Sequence, residues 1–351
     1  MAASYDALAP LALQIDGYAL ERHESVSSSG FVRVSTEIVL RGGGHEGRGE
    51  DVTYTPEDHD ALLAAGAILP LAGTRTLHEF SELVGGLDTF PAPPHGEVYR
   101  NYRRWAFESA ALDLALCQAG ISLHEALGRA PAPVTFVASV RLPEPPTLEP
   151  VDERLAHHPG LRFKLDPTPS WDGELIAELA SRDLVATADL KGFYAGTSVE
   201  NAADAGLYRR IAEGLPDAWI EDPLLDERTT PVLEPHRARI TWDAPIHSVA
   251  DILALPFPPS TLNSKPSRFG SLQALLHFYD YCASEGIALY GGGQTELGVG
   301  RGQIQYLASV FHPDTPNDVA PSVYNLEPLP PELPGSPLEP APSATGFRWA
   351  S

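Results

Sequence analysis

The sequence predicts an α/β protein in which an α+β domain precedes a series of repeating βα units. Three observations carry that expectation. The 351 residues exceed one ordinary domain and suit a barrel of about 250 residues plus a smaller unit. From residue 134 onward, short β-rich runs alternate with helical runs, which indicates parallel strands closed as a barrel or opened as a doubly wound sheet. Those β-rich runs end, one after another, in an ionisable residue.

The elements follow in order. The run "FVRVSTEIVL" from Phe31 alternates, placing Val32, Val34, Thr36, Ile38 and Leu40 on one face. It enters the turn-rich "RGGGHEGRGED", as a hairpin strand of an antiparallel sheet would. Helical spacing then appears in "TPEDHDALLAAGA", with Thr55 as N-cap and Pro56 at the first helical position, in "TLHEFSELVGG" and in "NYRRWAFESAALDLALCQAG". Strands followed by helices make residues 1–130 an α+β domain. Seven strand candidates come next: "VTFVASV", "LRFKLD", "LVATADL", "AWIEDP", "RITWDAP", "TLNSKP" and "IALYGGG". Helical runs such as "GELIAELAS", "NAADAGLYRRIAE" and "SLQALLHFYDYCASEG" separate them, and residues 131–327 form the second unit. The proline-rich "PLPPELPGSPLEPAPSATG" makes residues 328–351 an extended strap or a disordered end.

Composition narrows the function. Lys and Arg total 24 against 47 Asp and Glu, a net charge of -23 that argues against nucleic acid and anionic membrane as partners. No stretch of eighteen apolar residues and no basic leader is present, so a soluble cytoplasmic protein is expected. Cys117 and Cys282 lack C-x-x-C spacing and read as buried thiols of a reducing compartment. The twelve histidines show neither H-E-x-x-H nor paired Cys/His spacing, which leaves zinc unsupported. The glycine-rich "YGGGQTELGVGRG" matches neither the dinucleotide nor the P-loop spacing, so a nucleotide binder is the weakest reading. Its glycines suit a crowded strand-to-helix turn that carries Glu296.

The charged run ends are Lys164, Asp189, Glu221, Asp243 and Lys265, with Glu296 just beyond the seventh run. Their successive gaps of 25, 32, 22, 22 and 31 residues approach one βα repeat, so a barrel would gather all six at one mouth. Asp189, Glu221 and Asp243 make a hard-oxygen set suited to Mg²⁺, because carboxylates so close need a cation. A lysine stands on either side of the trio. An ammonium among other cations has a lowered pKa and can act as a base. The set suits abstraction of a proton next to a carboxylate; ion pairing for packing is the bland alternative for each residue alone.

With "GRGED" and "RWAFESAALDLALCQAG" in the first domain, and "RFKLD", "TADLKGFY", "WIEDPL", "TWDAPI", "NSKPSRFGSL" and "YGGGQTELGVGRG" in the second, the chain resembles the enolase superfamily. The likeness is to its muconate-lactonizing-enzyme and o-succinylbenzoate-synthase branch, related to mandelate racemase. It implies a (β/α)7β-type TIM barrel with an N-terminal α+β capping domain. It implies Asp189, Glu221 and Asp243 as Mg²⁺ ligands, Lys164 as base on one face, and Lys265 as acid/base or cationic stabiliser on the other. Cap loops near "HESVSSSGF" and "EDVTYTPED" would choose a small carboxylate substrate, and the glycine loop would floor the site around Glu296. A homo-oligomer is left open. The implied reaction is dehydration in the manner of o-succinylbenzoate synthase. Racemisation or epimerisation, cycloisomerisation, or a non-enzymatic barrel with a weakened metal site are the alternatives.

Three positions depart from the family pattern. Arg162 stands where a lysine is usual and would keep the positive charge that lowers the pKa of Lys164. Lys191 replaces an asparagine and Ala244 a glutamate or similar group; an added cation and a lost carboxylate would both weaken Mg²⁺ binding.

Overall fold

The computed structural model describes residues 3–26, 32–194, 196–197 and 201–349. After β1 (Ala12–Ile15), the chain forms an antiparallel meander of β2 (Gly17–Val26), β3 (Val32–Gly42) and β4 (His45–Asp51). Gly43 and Gly44 make the two-residue turn from β3 to β4, with φ of 57° and 80°, conformations that glycine adopts without penalty. β5 (Gly73–Thr76) pairs with β1. The long helix Tyr99–Ala119 lies across β4, where the "GRG" sequence makes room for it. A Cβ at Gly47 would strike the Ala110 carbonyl, and one at Gly49 the Ala106 carbonyl.

Alternation along β3 predicts one buried face, yet both are buried. Val34, Ile38 and Leu40 have Arg33, Ser35 and Glu37 buried beside them. The reason is a second contact surface. Arg33 donates to the carbonyls of Gln294 (2.9 Å) and Thr295 (3.1 Å), so the sheet is covered by its own helix and by the glycine-rich loop.

That loop belongs to a barrel. Parallel strands β6 (Ala138–Val140), β7 (Phe163–Leu165), β8 (Val185–Asp189), β9 (Trp219–Glu221) and β10 (Ile240–Thr241) pair in sequence order. β11 (Thr261–Ser264) pairs in parallel with β12 (Ala288–Gly291), and Asn263 N–H donates to the Trp242 carbonyl at 3.1 Å, linking the two groups. Asn317 and Asp318 complete the circle, bridging in parallel to Phe136 and to Gly292. The sheet therefore closes as a (β/α)7β barrel under an N-terminal cap, and the open doubly wound alternative is excluded. The eighth stave is only a bridged pair, which is why its sequence, "TPND", reads as a turn.

The proline-rich tail lies as an extended strap through residue 349. Leu338 bridges Val134, Gly346 bridges Ser122, and Phe347 is fully buried. Among the described residues no helix is long and apolar enough to cross a membrane.

Candidate active site

Parallel strands all point their C-terminal ends at one rim. Lys164 lies in β7, Asp189 and Glu221 end β8 and β9 as register partners, Asp243 lies two residues past β10, and Lys265 follows β11. All five are buried. Lys164 Nζ donates to Glu221 Oε1 and lies 3.1 Å from Asp189 Oδ2 and 3.7 Å from Asp318 Oδ2. Across the cluster, Lys265 Nζ lies 2.7 Å from Asp243 Oδ2, an oxygen shared with Arg268 Nη2 and the Tyr194 hydroxyl, each at 3.2 Å. The Tyr290 hydroxyl donates to Glu221 Oε2. Lys164, Lys191 and Lys265 line a cavity of about 170 Å³ with Tyr54, Arg301 and Asp318.

Burial and charge oppose each other here. Burial alone would push the Lys164 ammonium toward neutrality, but Asp189, Glu221 and Asp318 outweigh it and raise its pKa well above the ordinary lysine value. Burial raises Asp189 and Asp243 too; Lys164 and Lys191 reverse this for Asp189, and Arg268 and Lys265 for Asp243, so both end below the usual carboxylate range. Glu221 goes the other way: burial, reinforced by neighbouring carboxylates, lifts it well above its ordinary value. Asp222 is pushed up to about 7 by burial and by Asp243 and Asp189.

Two expected roles change. Arg162 stands apart, binding Asp183 Oδ1 at 3.0 Å and the Val185 carbonyl at 2.8 Å. The ladder slips by one residue between Phe163 and Lys164, so alternation does not carry from Arg162 to Lys164. The expected lowering of the Lys164 pKa by Arg162 is therefore replaced by a rise caused by carboxylates. Glu296 does not line the barrel-mouth cavity; it is buried against Arg301 (3.0 Å) and the Gln294 N–H (2.6 Å). The glycines of its loop instead admit carboxylates from the cap. Glu50 accepts N–H groups of Leu297, Gly298 and Gly300, and Glu37 accepts that of Val299, so both cap the helix Val299–Phe311. Lys191 meets Asp189, donating to Oδ2 from a left-handed turn with φ of 53°.

Of the two cap loops expected near the substrate, residues 27–31 of "HESVSSSGF" lie outside the described residues, while "EDVTYTPED" supplies Tyr54 to the cavity. Sequence reasoning missed Asp318, Asp166 and Arg268. Asp318 stands 22 residues after Glu296, the shorter of the spacings seen between other charged strand ends, and that interval was the available signal. Asp166 lies 3.5 Å from Lys191 Nζ, and nothing in its local sequence announces that pairing.

The donor set fits a hard divalent cation. Oxygens of Asp189, Glu221 and Asp222 lie within 4.8 Å of one another. Asp222 is already committed to the backbone N–H groups of Asp243 (2.8 Å) and Ala244 (2.9 Å), whereas Asp243 Oδ1 is buried without a hydrogen-bond partner. The linked cluster sets the carboxyls of Asp166, Asp189, Glu221, Asp222, Asp243 and Asp318 against Lys164, Lys191, Lys265 and Arg268. Six carboxyls stand among four cations, and burial and mutual repulsion lift Glu221 and Asp222, so a divalent ion would offset the cost of ionising them.

The chain belongs to a family described as a domain of unknown function, DUF8230, whose N-terminal model matches residues 6–126 and C-terminal model residues 130–326. An o-succinylbenzoate synthase of Geobacillus stearothermophilus is 28% identical over 272 residues, 74% of this chain and 68% of that protein. Among solved structures, a member of the enolase superfamily from Roseovarius nubinhibens aligns with a TM-score of 0.71 at 18% identity, over 96% of this chain and 94% of that one. The fold is that of the enolase superfamily. A dipeptide epimerase of Methylococcus capsulatus complexed with a Mg ion shares the fold, with a TM-score of 0.65 and 21% identity over 89% and 92% of the two chains.

Proposed function

We propose that this protein is an enzyme of the enolase superfamily that removes a proton α to the carboxylate of a small substrate in a Mg²⁺-dependent reaction, completed by dehydration as in o-succinylbenzoate synthase. One observation carries the reading: Lys164 and Lys265 both line the barrel-mouth cavity, each paired to a different member of the carboxylate trio. Mg²⁺ held by Asp189, Glu221 and Asp243 would supply positive charge for the substrate carboxylate and for the charge that develops when the proton leaves. The remaining work falls to the protein. Lys164 keeps its proton while Asp189 and Glu221 face it; with those carboxylates engaged elsewhere, its amine is released to act as base. Lys265 presents its ammonium from the side of Asp243, and Tyr54 closes the mouth from the cap.

The same pair of lysines supports a second reading, racemisation or epimerisation, in which both exchange protons. Elimination on one face needs proton transfer by Lys164 alone. Solvent-deuterium exchange into a panel of carboxylates, with wild type, Lys164→Ala and Lys265→Ala, separates the two. Exchange lost only in Lys164→Ala supports elimination; exchange lost in both supports the two-base reaction. Absence of exchange by wild type with every carboxylate that binds sinks both. The reading divides the chain into a cap (1–130), barrel (131–327) and tail (328–351) and places it in a reducing cytoplasm, in keeping with the free buried thiols of Cys117 and Cys282. A homo-oligomer is compatible with it.

A further inference from the structure

The glycine-rich loop contains a backbone feature that its glycines do not explain. Among the described residues four non-glycine residues have positive φ, and three of them, Lys191, Asp222 and Thr295, stand at the barrel mouth. Thr295, at φ of 57°, is the β-branched one. A β-branched side chain takes up that region only where its surroundings impose it. Here the cap does so. Arg33 of β3 is 2% exposed and donates to the carbonyls of Gln294 and Thr295, so the peptide units on both sides of the Thr295 Cα are held. Its other N–H donors end on the carbonyls of Val34, Thr53 and Val52 in the cap. All five donors of the guanidinium are thereby used, which leaves the loop no slack to relax.

What this geometry delivers is a side chain. Thr295 is exposed, lines the barrel-mouth cavity with Lys164, Lys191 and Lys265, and among the described residues its hydroxyl has no hydrogen-bond partner. The loop also lies directly against one of those lysines, since a Cβ at Gly292 would come 2.8 Å from Lys265 Cε. A free hydroxyl on a pinned backbone, among ammonium groups, suits an oxygen of an anionic molecule that accepts from all of them.

Resting on the proton-abstraction reading, we infer that Thr295 is a specificity-determining residue whose hydroxyl donates to an oxygen of the bound acid, and that Arg33 is the positioning residue that turns it to the mouth. Calorimetric titration of the full chain with o-succinylbenzoate, in excess MgCl₂, tests this. Thr295→Val keeps the branched shape without the hydroxyl and should bind about fivefold more weakly than wild type, the effect of one hydrogen bond. Thr295→Ser should restore the affinity. Thr295→Gly should bind as weakly as Thr295→Val yet unfold at a higher temperature than wild type, because glycine takes positive φ without strain. In Arg33→Lys, which lacks the fork that grips both carbonyls, adding Thr295→Val should weaken binding little further. If Arg33→Lys fails to fold, the Thr295 variants still decide the matter. Wild type that binds no o-succinylbenzoate up to about 10 mM sinks the dehydration reading and this inference with it. Equal binding by wild type and Thr295→Val overturns the contact alone, and a lower unfolding temperature in Thr295→Gly overturns the strain from which it is inferred.

Discussion

Replacing Lys191 by asparagine should tighten Mg²⁺ binding. Its ammonium donates to Asp189 Oδ2, lies 3.5 Å from Asp166 Oδ1 and sits 5.1 Å from the Tyr194 ring centre. Burial would favour the neutral amine, but Asp166 and Asp189 overrule it and hold the charge in place. A divalent ion about 4 Å from that ammonium is repelled by roughly 8 kcal/mol at an effective dielectric near 20. If the ammonium swings to the far side of Asp166, so that about 7 Å separates it from the ion, this falls to roughly 5 kcal/mol, and solvent at the mouth and salt reduce it again. If a third survives, the cost is about 1.5 kcal/mol, or about tenfold in affinity. Titration calorimetry with MgCl₂ at fixed pH and ionic strength reads the difference, with Glu221→Gln as the variant that loses binding. Asp166→Asn should act oppositely: deprived of its second partner, Lys191 stays on Asp189 and the metal binds several-fold more weakly. Unchanged or weaker binding in Lys191→Asn, or tighter binding in Asp166→Asn, refutes competition at Asp189.

Other consequences concern stability. Asn317 closes the barrel by accepting from Gly291 N–H (2.6 Å) and donating to the carbonyls of Thr135, His312 and Thr315; Asn317→Leu should cost roughly 3–5 kcal/mol in urea unfolding. His312 is buried, which depresses its pKa to about 4 from 6.5, with Nδ1 2.7 Å from Asn317 Oδ1. The unfolded chain therefore takes up this proton first, so stability contributed above pH 6.5 is lost as pH falls toward 4, by roughly 3 kcal/mol. His312→Gln should flatten that part of the stability–pH curve, and an unaltered slope would show that other groups carry it. Gly298→Ala would drive a Cβ into Glu37 Oε1 and disturb its bond to Val299 N–H (2.9 Å). The expected loss is about 1–3 kcal/mol, measured by the same unfolding assay, and a neutral substitution would mean that the cap shifts freely.

How much of this was legible follows from what each element is made of. Strand ends marked by a charge within a β-rich run were readable, because periodicity and spacing both survive in the sequence: Asp189, Glu221 and Lys265 stand where the runs end. The eighth stave was not, because two bridged residues, Asn317 and Asp318, are held by tertiary pairing and have no period. The side on which a charge falls was harder still. Arg162 leaves the site because the ladder slips beside it, and Lys191 enters through a left-handed turn; both depend on a one-residue change in backbone geometry. Glu296 shows the largest gap between pattern and role. Its loop of glycines could equally floor a substrate site or receive another part of the chain, and the deciding residues, Glu37 and Glu50, lie about 250 positions away in the cap. Their carboxylates end on the helix that starts with Val299, so the cap fixes the segment that carries Arg301 to the barrel-mouth cavity. A change in the cap can thus reach the barrel mouth through main-chain hydrogen bonds, without altering any of the carboxylates or lysines gathered there.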